Sequence, residues 1–451
     1  MKAAFMTLGC KVNLYETDRM KRALEEKGVE IVPFTEPADA YIINTCTVTN
    51  IADRKSRKMI NRAKRKDGHP AVIACGCYVN AVERENAEIA GIDALISNEE
   101  KDKAADLIIA AVEKKRSYTP ADQEAEYDKP ENDQEDFDFD EISSRVRVDL
   151  EVQTGCNQFC SYCIIPFVRG TLKSRDTSDI IKEAEYFARH GVKELVITGI
   201  HLSSFGIDRE YAPGQKIDAD AFLSLHGGPL LELVEGISRI EGIERIRFGS
   251  LEPRIITDQF VKRLSEVTQV CPHFHLSLQS GSDTVLARMN RHYDTGKYAE
   301  AVAVLRKYFD DPAITTDIIV GFPGETDDEF RETCAFVERI GFADVHVFRY
   351  SRRLGTAADK LPDQIDEKIK EERSHILIEL KDRVKQAYEE KYIGRSVRVL
   401  AEENVTLEGA QFWTGYTSNY MKVVFNGLCQ KNEFYDIIPN GRTDDNILIS
   451  R

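Results

Sequence analysis

No stretch of the 451 residues approaches the roughly 18 consecutive apolar residues that a membrane-spanning helix needs. The opening segment, Met1 to Cys10, lacks a charged region followed by a long apolar run and a small-residue cleavage site, so secretion is not expected. Cysteine is too sparse, at ten residues, for a small disulfide scaffold. Excess positive charge is missing too: 61 basic against 77 acidic residues give a net charge of −16, which argues against a chain coated in cations for nucleic acid. No internal repeat of fixed short period is present. Hydrophobic residues at 42% and charged residues at 31% leave ample material for cores. The length suits about three domains. These features exclude a disordered, fibrous or integral membrane protein and predict a soluble, cytoplasmic, multidomain one.

The acidity is uneven. Ser117 to Glu141 holds eleven acids against the single Lys129, whereas Asp53 to Asp67 (DRKSRKMINRAKRKD) holds eight bases against two acids. Phosphate binding depends on such local fields and not on the sum. Short apolar runs at Lys2 to Thr7, Ala40 to Ile43, Ala71 to Ala74 and Ile92 to Ile96 alternate with helical patterns, which predicts an open parallel α/β domain over 1–115. An acidic linker carrying Pro120 and Pro130 is expected over 116–144. Over 145–375 six β/α units are expected, with strands at Val146 to Gln153, Glu194 to Thr198, Arg245 to Ser250, Phe274 to Leu278, Thr316 to Val320 and Asp344 to Tyr350. That count suits a partial (β/α)6 barrel, with a loop inserted at Ser203 to Gly228. Residues 376–451 are read as a connecting helix and short strands forming a small all-β barrel.

The segment TGCNQFCSYCIIPFVRG places Cys156, Cys160 and Cys163 directly after a predicted strand. Thiolates are soft ligands suited to iron–sulfur clusters, and three of them leave one iron of a 4Fe-4S cube open to a small molecule. A zinc site with an unseen fourth ligand, or three unrelated thiols, are the alternatives. Cys10, Cys46 and Cys77 each follow a strand of the first domain, where an open parallel sheet gathers its ligand site. Cys75 competes with Cys77, but strand alternation points Cys75 into the packing. The nine histidines show no metal-ligand spacing, and nothing gives His201 or His275 a special role.

The CxxxCxxC motif on a six-unit β/α chain resembles the radical S-adenosylmethionine (SAM) superfamily. With the three-cysteine domain before it and RIRFGSLEP, HLSLQSGSD, MNRHY and TTDIIVGFPGET after it, nearly the whole chain resembles the radical SAM methylthiotransferases. GRSVRVLAEEN and GYTSNYMKVVF are similar to the small TRAM RNA-binding barrel of that family. The resemblance implies two 4Fe-4S clusters, an auxiliary one on Cys10, Cys46 and Cys77 and a SAM-binding one on Cys156, Cys160 and Cys163. One SAM then methylates sulfur at the auxiliary cluster, and a second yields the 5′-deoxyadenosyl radical that takes hydrogen from adenine C2. Strand-end residues Thr198, Gly199, Ser250, Glu252, Gln279 and Ser280, with Asp317 on the fifth strand, are candidate SAM contacts, and each could equally be a turn or cap residue.

Within the family, TLGCKVN resembles the branch acting on N6-threonylcarbamoyladenosine at position 37 of tRNA, next to the anticodon. The partners so implied are tRNA and a flavodoxin- or ferredoxin-like electron donor, with no membrane. A target base leaves its stack at least cost in a loop. Arg54, Lys55, Arg57, Lys58 and Arg62 are candidate phosphate contacts, with a solvated helix face as the alternative. Trp413, Tyr416 and Tyr420 read more readily as strand packing than as base-stacking platforms. Competing functions are a methylthiotransferase for isopentenyladenosine or for a ribosomal-protein aspartate, a non-catalytic iron–sulfur RNA-binding module, and a zinc-dependent binding protein.

Overall fold

The computed structural model describes residues 1–85, 87–117, 146–212, 214–407 and 409–451. Of the acidic stretch read as a linker, residues 118–144 lie outside the described residues. The described chain groups into two compact units. One holds the residues up to Ser117 together with Ile164–Gly170, and the other holds Val146–Cys163 and Thr171–Arg451.

The first unit runs β1 (Lys2–Thr7), α1 (Lys11–Glu25), β2 (Glu30–Val32), β3 (Ala40–Thr45), α2 (Asn50–Lys64), β4 (Ala71–Gly76), α3 (Cys77–Arg84), β5 (Ala94–Ile96) and α4 (Ala104–Ser117). Its five parallel strands lie in the order β2-β1-β3-β4-β5. Strands β3 and β4 are buried along their whole length, which is why they read as continuous apolar runs instead of alternating ones. Helices cover both faces, and two core clusters result. Phe5, Ile42, Ile73 and Ile108 belong to one, and Met6, Ile43, Met59 and Val79 to the other. Helix α2 is started by Thr49, whose hydroxyl accepts from Ala52 N at 3.1 Å. A further short helix, α5 (Ile165–Val168), packs Ile164 and Val168 against Cys77 and Ala81.

The second unit begins with β6 (Arg147–Thr154) and a two-residue hairpin strand β7 (Lys173–Ser174), then α6 (Thr177–Arg189), β8 (Glu194–Gly199), α7 (Gly228–Ser238), β9 (Arg245–Phe248) and β10 (Ser250–Leu251). It continues with α8 (Asp258–Ser265), β11 (His273–Leu276), α9 (Asp283–Arg288), α10 (Thr295–Tyr308), β12 (Ala313–Val320), α11 (Asp327–Ile340) and β13 (Asp344–Arg349). Strands β6, β8 and β9 pair in parallel, as do β10, β11, β12 and β13, and only Gly249 separates β9 from β10. The result is a partial parallel barrel of six successive β/α strands, as the sequence leads one to expect. The Ser203 to Gly228 stretch carries short 3₁₀ turns at Ile207–Glu210 and Ala221–Leu225, so it is a folded insertion and not a bare loop. Helix α11 opens with a capping box in which Thr326 and Glu329 satisfy each other's backbone donors. No helix among the described residues is long and apolar enough to cross a membrane.

After α12 (Glu367–Glu390), six strands form a curled sheet: β14 (Val397–Leu407), β15 (Ala410–Thr417), β16 (Lys422–Phe425), β17 (Phe434–Ile437), β18 (Gly441–Arg442) and β19 (Leu448–Ser450). They lie in the order β17-β14-β15-β16-β19-β18, antiparallel except for β16 with β19. This sheet is fastened to the barrel by two buried arginines. Glu194 is fully buried and receives Arg247 Nε at 2.9 Å and Arg245 at 3.4 Å. Arg247 also donates to Ser418 O and Thr417 O, and Arg245 to Tyr416 O and Arg398 O. Although burial works in the opposite direction, the arginines hold the Glu194 carboxyl below its ordinary range. Glu194→Ala removes the shared anion and leaves two buried cations uncompensated. A loss of about 3–5 kcal/mol in denaturant unfolding is the expected outcome.

Candidate functional site

The candidate cysteines fall in two sets, each placed after the carboxyl ends of parallel strands. None of the ten cysteines forms a disulfide. In the first unit Cys10 follows β1, Cys46 follows β3 and Cys77 opens α3 after β4. The three lie close enough that Cys77 and Cys10 each raise the Cys46 thiol, which burial already pushes up to about 12. Burial also raises Cys10, with Arg169 opposing it. Cys75 is instead fully buried in the sheet core, its thiol aimed at Ile43 O at 3.7 Å.

Two glycines make the convergence of the first trio sterically possible. Gly9 has φ +105°, and a Cβ there would come within 2.8 Å of Cys46 Cβ and 2.9 Å of its Sγ. Gly76 has φ +94°, and a Cβ there would stand 2.5 Å from both Thr45 O and Asn44 Oδ1. Only glycine tolerates both the left-handed backbone and such an approach. Asn13 ties the loops together, donating to Leu8 O at 2.7 Å and Thr45 O at 2.9 Å.

A residue that the sequence does not single out completes the arrangement. Arg169 is buried with its Nε 3.2 Å from Cys77 Sγ, one Nη on Asn13 Oδ1 at 2.5 Å and the other on Glu16 at 2.9 Å. Glu16 also pairs with Lys101. Despite desolvation, these two cations hold the Glu16 carboxyl down at about 2.

In the second unit the loop after β6 carries Cys156, Cys160 and Cys163. Its backbone is pinned by Ser161, whose N–H donates to Met289 O and whose hydroxyl donates to Arg288 O, both at 2.9 Å. Asn290 Nδ2 holds Phe159 O at 3.1 Å. Arg291 parallels Arg169: it is half-buried, its Nη1 donates to Cys160 Sγ at 3.1 Å, and its other nitrogens bond Tyr293 Oη. The MNRHY motif is thus the loop's support. Burial pushes the Cys156 thiol up to about 12.

The other residues predicted from the sequence scatter. Glu252 is buried beside Arg254, which donates to its Oε1 at 2.7 Å, while its Oε2 has no partner. Burial raises its pKa, against the pull of Arg254 and Arg291. Thr198 is buried, Gly199 sits against Gln153, and Ser250 is exposed. Gln279 adopts φ +77° and bridges to Ile318. Ser280 is fully buried on α11, 3.3 Å from Thr333 Oγ1, and Asp317 pairs with His275, so both are engaged within the fold. Arg54, Lys55, Arg57 and Arg62 are exposed on α2, and Lys58 is half-buried. Tyr416 and Tyr420 stack at 4.7 Å under the Arg147 guanidinium, and Trp413 packs on the sheet core, which is the packing role expected of them. His201 is half-buried, its pKa lowered to about 3 by desolvation and by Arg291 and Arg254.

The donor sets fit iron–sulfur clusters. Each is three thiols without an oxygen ligand, each has an arginine donating to one thiol, and Glu252 Oε2 is a buried acceptor still to be satisfied. Gly76→Ala is expected to lower the melting temperature. It should also remove about four of about eight irons on anaerobic reconstitution, counted by iron and sulfide assay.

Comparison with known proteins agrees with this arrangement. Residues 150–337 match the Radical SAM superfamily, and residues 2–97 match the family described as Uncharacterized protein family UPF0004. The chain is 39% identical to the threonylcarbamoyladenosine tRNA methylthiotransferase MtaB of Bacillus subtilis, covering 94% of this chain and 90% of the relative. The Aquifex aeolicus protein of the same name is 36% identical, with 95% and 97% covered. A tRNA-2-methylthio-N(6)-dimethylallyladenosine synthase of Caldicellulosiruptor saccharolyticus is 32% identical, with 90% and 83% covered. Among solved structures, the radical SAM methyltransferase TsrM of Kitasatospora setae, with cobalamin and a [4Fe-4S] cluster bound, superposes with a TM-score of 0.52 at 13% identity. That match covers 79% of this chain and 73% of that one and reflects a shared fold. From β1 to the C-terminal strands, the chain belongs to the radical SAM methylthiotransferase family.

Proposed function

We propose that this protein is a tRNA methylthiotransferase that places a methylthio group on C2 of N6-threonylcarbamoyladenosine at position 37, next to the anticodon. The observation that carries this reading is the presence of two complete thiol trios on a chain matching threonylcarbamoyladenosine enzymes over nearly its whole length. A non-catalytic RNA-binding module or a zinc protein would have no use for two such trios.

Cys156, Cys160 and Cys163 would hold one 4Fe-4S cluster and Cys10, Cys46 and Cys77 the other, each with one iron free of protein ligands. When bound, the first supplies radical cleavage of SAM and the second supplies the sulfur that becomes the methylthio group. Around them, the chain's own residues set the conditions. Arg291 on Cys160 and Arg169 on Cys77 hydrogen-bond a sulfur and bring positive charge to it, which favours the reduced state of a centre bound there. The unpartnered Glu252 Oε2 is an acceptor suited to the SAM amino or ribose hydroxyl groups, and Arg254 fixes its orientation. Asn13 and Ser161 keep the thiol loops from opening to water. The exposed arginines and lysine of α2, a helix that begins four residues beyond Cys46, provide a phosphate-binding face, and their contribution is salt-dependent. The enzyme works in the cytoplasm with a flavodoxin- or ferredoxin-like electron donor.

Mass spectrometry of tRNA nucleosides decides the substrate. Deleting the gene is expected to replace 2-methylthio-threonylcarbamoyladenosine with its unthiolated precursor; loss of the isopentenyladenosine product instead would move the protein to the other branch. Arg169→Met is expected to retain iron but to make the midpoint potential of the auxiliary centre more negative, read by EPR-monitored redox titration.

A further inference from the structure

Three adjacent strands of the barrel present His275, Asp317 and His346 on one face. His275 lies on β11, Asp317 on β12 and His346 on β13. The register sets Asp317 directly opposite His346 and His275 opposite Thr315, two residues before Asp317. Alternation sends Phe274, Leu276, Ile318 and Val345 to the opposite, fully buried face. The three polar side chains therefore converge by sheet geometry. One ligand atom from each lies within 4.8 Å of those from the other two.

No local spacing marks these residues, because 42 and 29 positions separate them along the chain, and only parallel pairing brings them together.

The three residues offer the donor chemistry of a metal site. His275 Nε2 stands 3.4 Å from Asp317 Oδ2, and its Nδ1 is 3.1 Å from Thr315 Oγ1. With its second nitrogen bonded to a hydroxyl, the ring is fixed with Nε2 aimed at the carboxylate, as metal-ligating histidines are fixed by outer hydrogen bonds. The Asp317 carboxylate has no lysine or arginine partner among the described residues. The His346 ring is exposed and lies beside the His275 ring, 5.9 Å between centroids. One proton can bridge His275 and Asp317, but it leaves the third lone pair unused. A cation would engage all three.

We propose that His275, Asp317 and His346 form a third metal site, for a zinc-type divalent ion, with a fourth position open to an oxygen donor. Two imidazoles and one carboxylate suit Zn²⁺ or a neighbouring first-row ion and disfavour Mg²⁺ or Ca²⁺. In tetrahedral zinc coordination neighbouring ligand atoms stand about 3.4 Å apart, the separation already present between His275 and Asp317. The exposed His346 ring closes the remainder by side-chain rotation. The site stands independently of the substrate reading above.

The test uses the full-length protein with both clusters assembled, kept anaerobic, stripped with a chelator and dialysed against Zn²⁺. The expected result is one equivalent of zinc above the cluster metal. Its zinc K-edge spectrum should show nitrogen and oxygen neighbours at about 2.0–2.1 Å and no sulfur. His346→Phe and Asp317→Ala each abolish that equivalent, and Thr315→Val, which touches no ligand atom, weakens it roughly 10–100-fold. Cluster iron content and circular dichroism report whether each variant is folded, and His346→Phe, on an exposed side chain, carries the test if Asp317→Ala does not fold. Absence of bound zinc in the wild type, equal uptake by folded His346→Phe, or sulfur in the zinc shell would each overturn the proposal.

Discussion

Parallel strands deliver their carboxyl ends to a common edge, and residues far apart in sequence can meet there without any local signature. Both thiol trios obey this constraint, by different routes. In the first unit three separate strand ends each give one cysteine, so the site exists only if the sheet order is right. In the barrel one loop gives all three, and the sheet supplies the platform and the supporting groups.

The two trios nevertheless share a device. Each has a guanidinium largely withdrawn from water donating to one of its thiols, buried Arg169 to Cys77 and half-buried Arg291 to Cys160, at similar distances. Taking an arginine out of water is expensive, so each is held by further acceptors: Glu16 and Asn13 around one, Tyr293 around the other. Soft anionic ligands accumulate negative charge, and a fixed cation nearby relieves it without contributing a ligand. The arrangement also fixes each arginine's geometry, because a guanidinium has five donors in a rigid fork and these contacts occupy several of them.

Much of this was legible in the sequence. The parallel strands of the first unit and the barrel, and helices such as Thr295–Tyr308 and Asp327–Ile340, followed from apolar runs and helical periodicity. What escaped notice did so for physical reasons. Strand β2 is a three-residue edge strand, too short to show a period. Arg169 and Arg291 look like ordinary basic residues, since nothing local tells a buried guanidinium from a solvated one. The FWTGYTSNYMKVVF run reads as one strand but breaks at Tyr420, where φ is +68° and the chain turns back into β16. The histidines on β11 and β13 belong together only through register, a property of the folded sheet.

The arginine pair that fastens the curled sheet to the barrel has one more implication. Arg245 and Arg247 reach out of a barrel strand to carbonyl oxygens on β14 and at the end of β15, and Glu194 alone cannot absorb all their donors. The C-terminal strands are therefore not a detachable module carried along for its affinity. Amputating them would strip two interior cations of their acceptors, and a shortened enzyme would be damaged at its foundations, whatever it had lost in grip on its substrate.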